Sequence, residues 1–161
     1  MKYITQFLLF LLILTFGCSS DGKECCTVID VSLLISLTGN DGTDLLNPEE
    51  PDHYDEASID IYALIDGEEK RVFDGNLDLP EHFKVVEIDG QYYMNLFVNE
   101  TADDDNLAVT YIKWNESDTD TLMCDFNKSH NNIILTEVWY NGELKWKVSD
   151  GDERVVNIVK E

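Results

Sequence analysis

Residues 135–148 read LTEVWYNGELKWKV, and this stretch predicts a β-hairpin. Asn141-Gly142 accepts the positive φ angles of a two-residue type I′ turn, so Tyr140 should pair with Glu143 across it. Strict alternation from that pair gives a core face of Leu135, Trp139, Leu144, Trp146 and Val148. Glu137 is the one polar residue on this face, and Tyr140 falls on the opposite, amphipathic face. The pattern is typical of a half-buried antiparallel strand pair.

Turn signals recur along the rest of the chain. Asp66-Gly67 and Asp89-Gly90 predict two further two-residue hairpins, and residues 115–118 should connect the strands of a fourth hairpin. Strand-like apolar or alternating runs cover residues 28–37, 107–114, 119–126 and 155–159, and a long polar loop covers 38–56. No run of a dozen residues has convincing helical periodicity. Nine or ten short strands predict an all-β domain, an antiparallel β-sandwich of the immunoglobulin or prealbumin-like type.

The amino terminus has the layout of a secretory signal peptide. Met1-Lys2 gives a positively charged start, residues 7–14 are uniformly apolar, and Gly17-Cys18 ends the run. About ten apolar residues span roughly 15 Å as a helix, half of the roughly 30 Å hydrocarbon core of a bilayer. We therefore expect residues 1–17 to direct secretion and to be removed, without spanning the membrane.

The end of this segment resembles the lipobox of bacterial lipoproteins. The resemblance implies cleavage between Gly17 and Cys18 and a lipid on Cys18. Thr15 and Phe16 stand where a lipobox usually has an aliphatic and a small residue, and this relaxed form is similar to lipoproteins of the Bacteroidetes. An ordinary signal peptide with a nearby cysteine is the alternative. The expected organisation is a signal peptide at 1–17, a lipidated tether at 18–26 and a β-sandwich domain at 27–161.

The charge of the chain excludes some partners. It contains 33 acidic and 11 basic residues, a formal net charge of −22. Nucleic acid and anionic lipid surfaces both require cationic groups, so neither is an expected partner. Attachment to the lipid bilayer must then come from acylated Cys18.

The remaining cysteines leave two readings open. With Cys18 acylated, an odd number remains in a compartment that permits disulfides. Cys25 or Cys26 could pair with Cys124 and close a loop of about 100 residues, which would stabilise the fold by roughly 4–5 kcal/mol in the chain-entropy model. Three free thiols are the alternative.

Catalytic and metal-binding motifs are absent from the sequence. His53, His82 and His130 have no metal-ligand spacing and no neighbouring nucleophile motif. Several loops are rich in oxygen ligands, among them residues 40–44 and 49–56, but none matches the EF-hand pattern. We expect no cofactor, with calcium the one ion left open.

Modification and ligand-binding residues are predicted from short patterns. Asp120-Thr121-Leu122 is similar to the O-glycosylation site of exported Bacteroidetes proteins, which makes Thr121 a candidate glycan site. Aromatic side chains could stack on sugars. Tyr93, Phe97 and Tyr140 are those that we expect on the outside, as a candidate ligand surface.

The amino terminus, residues 33–48 and residues 138–144 together resemble small hypothetical lipoproteins of gut Bacteroidetes. The resemblance implies a cell-envelope location and a β-rich fold, and it assigns no activity. We expect a non-enzymatic binding or interaction module anchored by lipid to the outer membrane, with a glycan or another envelope protein as its partner. A small hydrolase with catalytic residues dispersed in the sequence is the alternative.

Overall fold

Strands make up nearly all of the regular structure of the protein. The computed structural model describes residues 27–102, 107–129 and 131–160. The strands are β1 Ile29–Asp30, β2 Ser32–Gly39, β3 Asp60–Ile65, β4 Glu68–Arg71, β5 Phe83–Ile88, β6 Gln91–Phe97, β7 Ala108–Lys113, β8 Thr119–Asn127, β9 Ile133–Tyr140, β10 Glu143–Lys147 and β11 Val155–Lys160. Two short 3-10 helices, Glu56–Ser58 and Val148–Asp150, complete the regular structure of the described residues. The prediction of an all-β fold is confirmed for the residues that the structure describes.

The three predicted two-residue turns are present. Asp66-Gly67 joins β3 to β4, Asp89-Gly90 joins β5 to β6, and Asn141-Gly142 joins β9 to β10. Both residues of each turn have positive φ, 56° and 75° in the first, 53° and 84° in the second, and 50° and 84° in the third. Asp, Asn and Gly tolerate this region of backbone space better than other residues do, which is why these dipeptides predict the turns.

The fourth predicted connection is also present, and Asn115 organises it. The Asn115 side-chain oxygen accepts hydrogen bonds from the backbone N–H of Ser117 and of Asp118. Asn is favoured at turn positions because its side-chain oxygen can accept a hydrogen bond from the backbone N–H two residues later in the chain. Lys113 pairs with Thr119 directly after the turn, so β7 and β8 are antiparallel neighbours.

The strands form two mixed sheets. A seven-stranded sheet has the order β1-β9-β8-β7-β3-β4, with β10 also paired to β9, and a four-stranded sheet has the order β11-β2-β6-β5. β1 runs parallel to β9, and β11 runs parallel to β2. The prediction of a purely antiparallel arrangement is therefore wrong at these two pairs. Alternation within a strand distinguishes its two faces, but it says nothing about the direction of a partner distant in sequence.

One hydrophobic core lies against the inner faces of both sheets. The seven-stranded sheet contributes Ile61, Ile112, Leu122, Cys124, Leu135, Val138 and Trp146. The four-stranded sheet contributes Leu33, Ile35, Leu37, Met94, Leu96, Val156 and Ile158. Trp114, just after β7, is the largest side chain that is fully buried. Because the two sheets share this cluster, each has one inner face and one outer face.

The face assignment of the last hairpin is corrected by the structure. Tyr140 pairs with Glu143 as predicted, but a bulge at Lys145 places Trp146 opposite Val138. An extra residue in one strand shifts the alternation, so the residues beyond it change sides. Trp146 is buried as predicted, whereas Leu144 and Val148 are exposed and Tyr140 is buried. Trp139, predicted inside, is partly exposed on the outer face.

The predicted signal peptide and tether fall outside the described residues, including Gly17, Cys18, Cys25 and Cys26. In the part of the chain that is described, no helix has the length and apolar character needed to cross a membrane. Cys124 is buried in the core, and burial raises the pKa of its thiol to about 12. The disulfide predicted for Cys124 stays a prediction, because both of its candidate partners lie outside the described ranges.

Candidate binding surface

A row of apolar side chains crosses the outer face of the seven-stranded sheet. Val109 on β7 pairs with Met123 on β8, Met123 pairs with Trp139 on β9, and Trp139 pairs with Leu144 on β10. Ala63 on β3 pairs with Thr110 on β7 in an antiparallel register, so the next residue of β3, Leu64, lies beside Val109 and extends the row. Val109, Met123 and Trp139 each have buried neighbours on both sides along their strands, so these three residues point away from the core.

A second row with two tyrosines lies beside the first. Tyr62 on β3 pairs with Tyr111 on β7, and Tyr111 pairs with Thr121 on β8. The Lys113 ammonium lies 3.8 Å from the centre of the Tyr62 ring, a cation–π contact at the end of this row. We call the set Tyr62, Leu64, Val109, Tyr111, Met123 and Trp139 the aromatic face. All of its members are partly exposed.

The aromatic face carries no charge, although the chain as a whole is strongly acidic. Charged side chains pair at its margins, where Lys113 lies 3.8 Å from Glu69 and Lys147 pairs with Glu137. Glu137 is the residue that did not fit the predicted core face of the hairpin, and it lies on the outer side. An uncharged patch with aromatic rings, bordered by ion pairs, is typical of a surface that contacts a partner or ligand.

Tyr140 does not belong to an exposed ligand surface, because it takes part in a buried polar network. Its hydroxyl donates to the Asp120 carboxylate, which also accepts from the Trp114 indole N–H at 2.6 Å. The Asn141 amide and the Lys160 ammonium donate to the same carboxylate. A register shift in the β8–β9 pairing, where Asp125 pairs with Glu137 and Phe126 with Leu135, interrupts the alternation along β9, so Leu135 and Tyr140 are both buried, contrary to the prediction for Tyr140.

The network continues to Asp118 and Tyr54. The Lys160 ammonium lies 2.7 Å from an oxygen of Asp118, and the Tyr54 hydroxyl donates to the other Asp118 oxygen at 2.7 Å. Desolvation is the largest influence on Asp120 and by itself raises the pKa, but the donors around it outweigh this and leave the pKa of Asp120 lowered. Desolvation and the hydrogen bond to Asp118 raise the pKa of the Tyr54 hydroxyl. At neutral pH the Asp120 carboxylate is therefore ionised, and Tyr54 is neutral.

Tyr93 and Phe97 lie together on the other sheet. Both are on β6, and their neighbours Met94 and Leu96 are fully buried, so Tyr93 and Phe97 point outward from the four-stranded sheet. Phe97 is 41% exposed and lines the wall of a cleft at the end of β6. The structure thus brings two of the three predicted ligand residues to one face, which is distinct from the aromatic face.

The sequence assigns no catalytic or metal-binding residue, and it leaves calcium open as a bound ion. No group of three or more His, Cys, Asp or Glu side chains suited to a metal ion occurs in the described ranges. In the loop after β2, the Asp41 carboxylate accepts the N–H of Thr43, and Asp44 accepts the N–H of Leu46 and of Tyr92. The calcium expectation stays a prediction. His53 and His82 lie in separate loops, and His130 falls outside the described residues.

Sequence reasoning missed most of the aromatic face. Alternation places Trp139 in the core, and no sequence pattern singles out Tyr62 or Met123. Glu137 points against a core position for Trp139, because burying an unpaired carboxylate is costly. If the two faces of the strand are exchanged, Glu137 and Trp139 both lie on the outer side and this cost disappears. Thr121 lies on β8 with its side chain directed outward, which is where a glycan could be attached, and its modification stays a prediction.

Comparisons of the chain with protein-family models, with curated proteins and with solved structures find no match.

Proposed function

We propose that this chain is a lipid-anchored protein of the cell envelope that acts as a non-enzymatic binding module, with the aromatic face as its binding surface. The observation that carries the proposal is the uncharged aromatic face itself, in which three aromatic rings stand on the outer side of a sheet. The rings belong to Tyr62, Tyr111 and Trp139.

The ligand that this surface suits best is a glycan chain. Aromatic rings offer flat apolar area together with a polar edge, which matches the apolar faces and hydroxyl groups of a sugar. Tyr62 and Tyr111 are directly opposite each other on adjacent strands. From strand spacing and rise, the backbone of Trp139 lies about 12 Å from that of Tyr111 along the diagonal. An extended chain of several sugars could stack on Tyr111 and Trp139 at once and contact the part of Tyr62 that the Lys113 ammonium does not cover.

The β-sandwich that we propose as the fold would support the aromatic face rigidly. We infer that the two sheets pack face to face as a β-sandwich of the immunoglobulin or prealbumin-like type, which their shared hydrophobic core supports. A binding site on strands of a packed sheet keeps its side chains in a fixed arrangement, and this lowers the entropic cost of binding.

The envelope location rests on the amino-terminal sequence. The charged start, the short apolar run and Gly17-Cys18 support processing as a lipoprotein of the outer membrane. Globomycin, which inhibits lipoprotein signal peptidase, should cause accumulation of the precursor, and mass spectrometry of the mature protein should find an acylated Cys18 as its first residue. A mature chain that begins elsewhere, or that carries no lipid, would contradict this part of the proposal.

Trp139 provides a direct test of glycan binding. Of the three tryptophans, Trp114 and Trp146 are buried, so quenching of fluorescence by iodide reports mainly on Trp139. A screen of soluble glycans should find one that protects this fluorescence and that loses affinity at least about tenfold in Trp139→Ala and Tyr111→Ala.

Tyr93→Ala is the matched control, because it removes an aromatic ring from the outer face of the other sheet. It should leave the affinity unchanged, and a loss confined to Tyr93→Ala would move the site to the four-stranded sheet. If no glycan protects Trp139 while an envelope protein does, the partner is a protein. Release of new reducing ends from a bound glycan would favour the alternative of a hydrolase.

A further inference from the structure

A cleft of about 750 Å³ lies where the ends of β3, β4 and β6 meet the loop of residues 72–79. Its walls are mainly apolar and include Val31, Ala63, Ile65, Val72, Phe97 and Val98. The volume is within the range of about 300–1,000 Å³ that is usual for sites of small organic ligands. This cleft is separate from the aromatic face, and the proposed glycan-binding function does not use it.

The mouth of the cleft exposes large apolar side chains. Phe73 is 59% exposed and Leu77 is 49% exposed, and both lie in the loop that borders the cleft. Together with Phe97, they form a continuous apolar path from the solvent into the interior. A long aliphatic group could enter along this path and remove apolar surface from water, which contributes roughly 0.8 kcal/mol for each buried methylene.

Charges around the cleft favour one kind of headgroup. Arg71 is bound by Asp60, 2.8 Å from the guanidinium Nε, and by Glu81 at 3.4 Å, so these carboxylates more than neutralise its charge. Lys70 is near Asp66, at 4.0 Å. Three further carboxylates line the cleft, those of Asp74, Asp78 and Glu100, and no salt bridge to them occurs among the described residues. One further cation is nearby, because the Lys128 ammonium donates to the Glu100 backbone oxygen at 2.8 Å, and the carboxylates remain in excess.

We propose that this cleft binds an amphiphile with an aliphatic tail and a cationic headgroup. The tail occupies the apolar interior, and the headgroup lies at the rim near Asp78 and Glu100. A carboxylate or phosphate headgroup would meet an excess of negative charge here, and the net charge of −22 on the whole chain adds to the repulsion. Charge complementarity thus selects the cationic member among amphiphiles of equal tail length.

The test compares three probes with the same dodecyl tail, each below its critical micelle concentration: dodecyltrimethylammonium, dodecyl maltoside and dodecanoate. Calorimetry on the purified full-length chain is carried out at pH 8. We expect one molecule of dodecyltrimethylammonium to bind, at least about tenfold more tightly than dodecanoate, with the neutral probe between them. Equal or tighter binding of dodecanoate, or no saturable binding of the cationic probe, would overturn the proposal.

Variants distinguish a built site from attraction by the net charge. Asp78→Asn combined with Glu100→Gln should remove most of the preference for the cationic probe. Glu116→Gln combined with Asp152→Asn makes the same change of charge at exposed positions away from the cleft, and it should leave the preference intact. An equal effect of the two double variants would show that the whole chain, and not the cleft, sets the preference, and would overturn the proposal.

Apolar variants test where the tail lies. Phe73→Ser and Phe97→Ser should each weaken binding of all three probes about fivefold or more, because both change apolar residues at the mouth. Val159→Ser is the matched control, since Val159 is 61% exposed on the last strand and does not line the cleft. Unchanged binding in both phenylalanine variants would contradict the proposal. Trp139→Ala should bind the probes normally, so failure here and failure of glycan binding are distinguishable.

Discussion

Asp120 is the residue on which the largest single polar network of the core depends. Its carboxylate is buried, and it is stabilised by donors from Trp114, Tyr140, Asn141 and Lys160. Asn at this position keeps the shape of the side chain but loses the charge that several donors bind, at a cost of about 1–3 kcal/mol, while Lys160 keeps its ion pair with Asp118. We therefore expect Asp120→Asn to lower the free energy of unfolding by about this amount, as measured by urea denaturation. Asp118→Asn, at a more exposed position, should cost less, and an equal or larger cost there would contradict this account.

The lowered pKa of Asp120 gives this contribution a defined pH dependence. A carboxylate whose pKa is lower in the folded than in the unfolded state stabilises the fold above its unfolded pKa, about 3.9 for Asp, and loses that contribution as the pH falls through the folded value. The difference in unfolding free energy between the wild type and Asp120→Asn should therefore be full at pH 7 and shrink below about pH 4. A difference that stays constant down to pH 3 would show that the loss in the variant is not due to the charge.

The last hairpin shows, at the level of an element, what alternation can and cannot predict. Asn141-Gly142 determines the turn and the pairing of Tyr140 with Glu143, and both were predicted from the local sequence. The bulge at Lys145 was not predicted, because no local signal requires it and only packing of Trp146 in the shared core reveals it. The same limit applies to β11, whose parallel partner is remote in the sequence. The turns could thus be predicted, but the faces next to a bulge could not.

The two tryptophans of this hairpin test the corrected faces. Strict alternation predicts that Trp139 and Trp146 are both in the core, whereas the structure buries only Trp146. We expect Trp146→Ala to cost about 3–5 kcal/mol, the usual cost of removing a large buried side chain, and Trp139→Ala to cost less than about 1.5 kcal/mol. Urea denaturation followed by circular dichroism gives both values. Equal costs would restore the original assignment.

The turn itself can be tested with two glycines. Gly142 has a φ of 84°, a region that an L side chain rarely adopts, so Gly142→Ala should destabilise the protein by about 1 kcal/mol. Gly75 is exposed, has no positive φ, and a Cβ there would meet only an ordinary contact with the Phe73 ring. Gly75→Ala is therefore the control, and its unfolding midpoint in urea should stay close to that of the wild type. A neutral effect of Gly142→Ala would contradict the type I′ geometry.

The protein as a whole has a large net negative charge, and the ion pairs of the fold do not neutralise it. Many of the basic side chains pair with carboxylates, as Arg154 does with Asp30 and Lys160 with Asp118, so the excess of acidic residues repel one another across the surface. Salt screens such repulsion, because the Debye length falls from about 30 Å at 0.01 M to about 3 Å at 1 M. We expect the melting temperature to rise by several degrees between 10 mM and 500 mM NaCl at pH 7.

CaCl₂ at matched ionic strength separates screening from a calcium site: an equal rise indicates screening alone, whereas a larger rise that saturates at low millimolar calcium indicates a bound ion. A fall in melting temperature with NaCl would mean that the attractive ion pairs outweigh the repulsion, contrary to this account of the molecule.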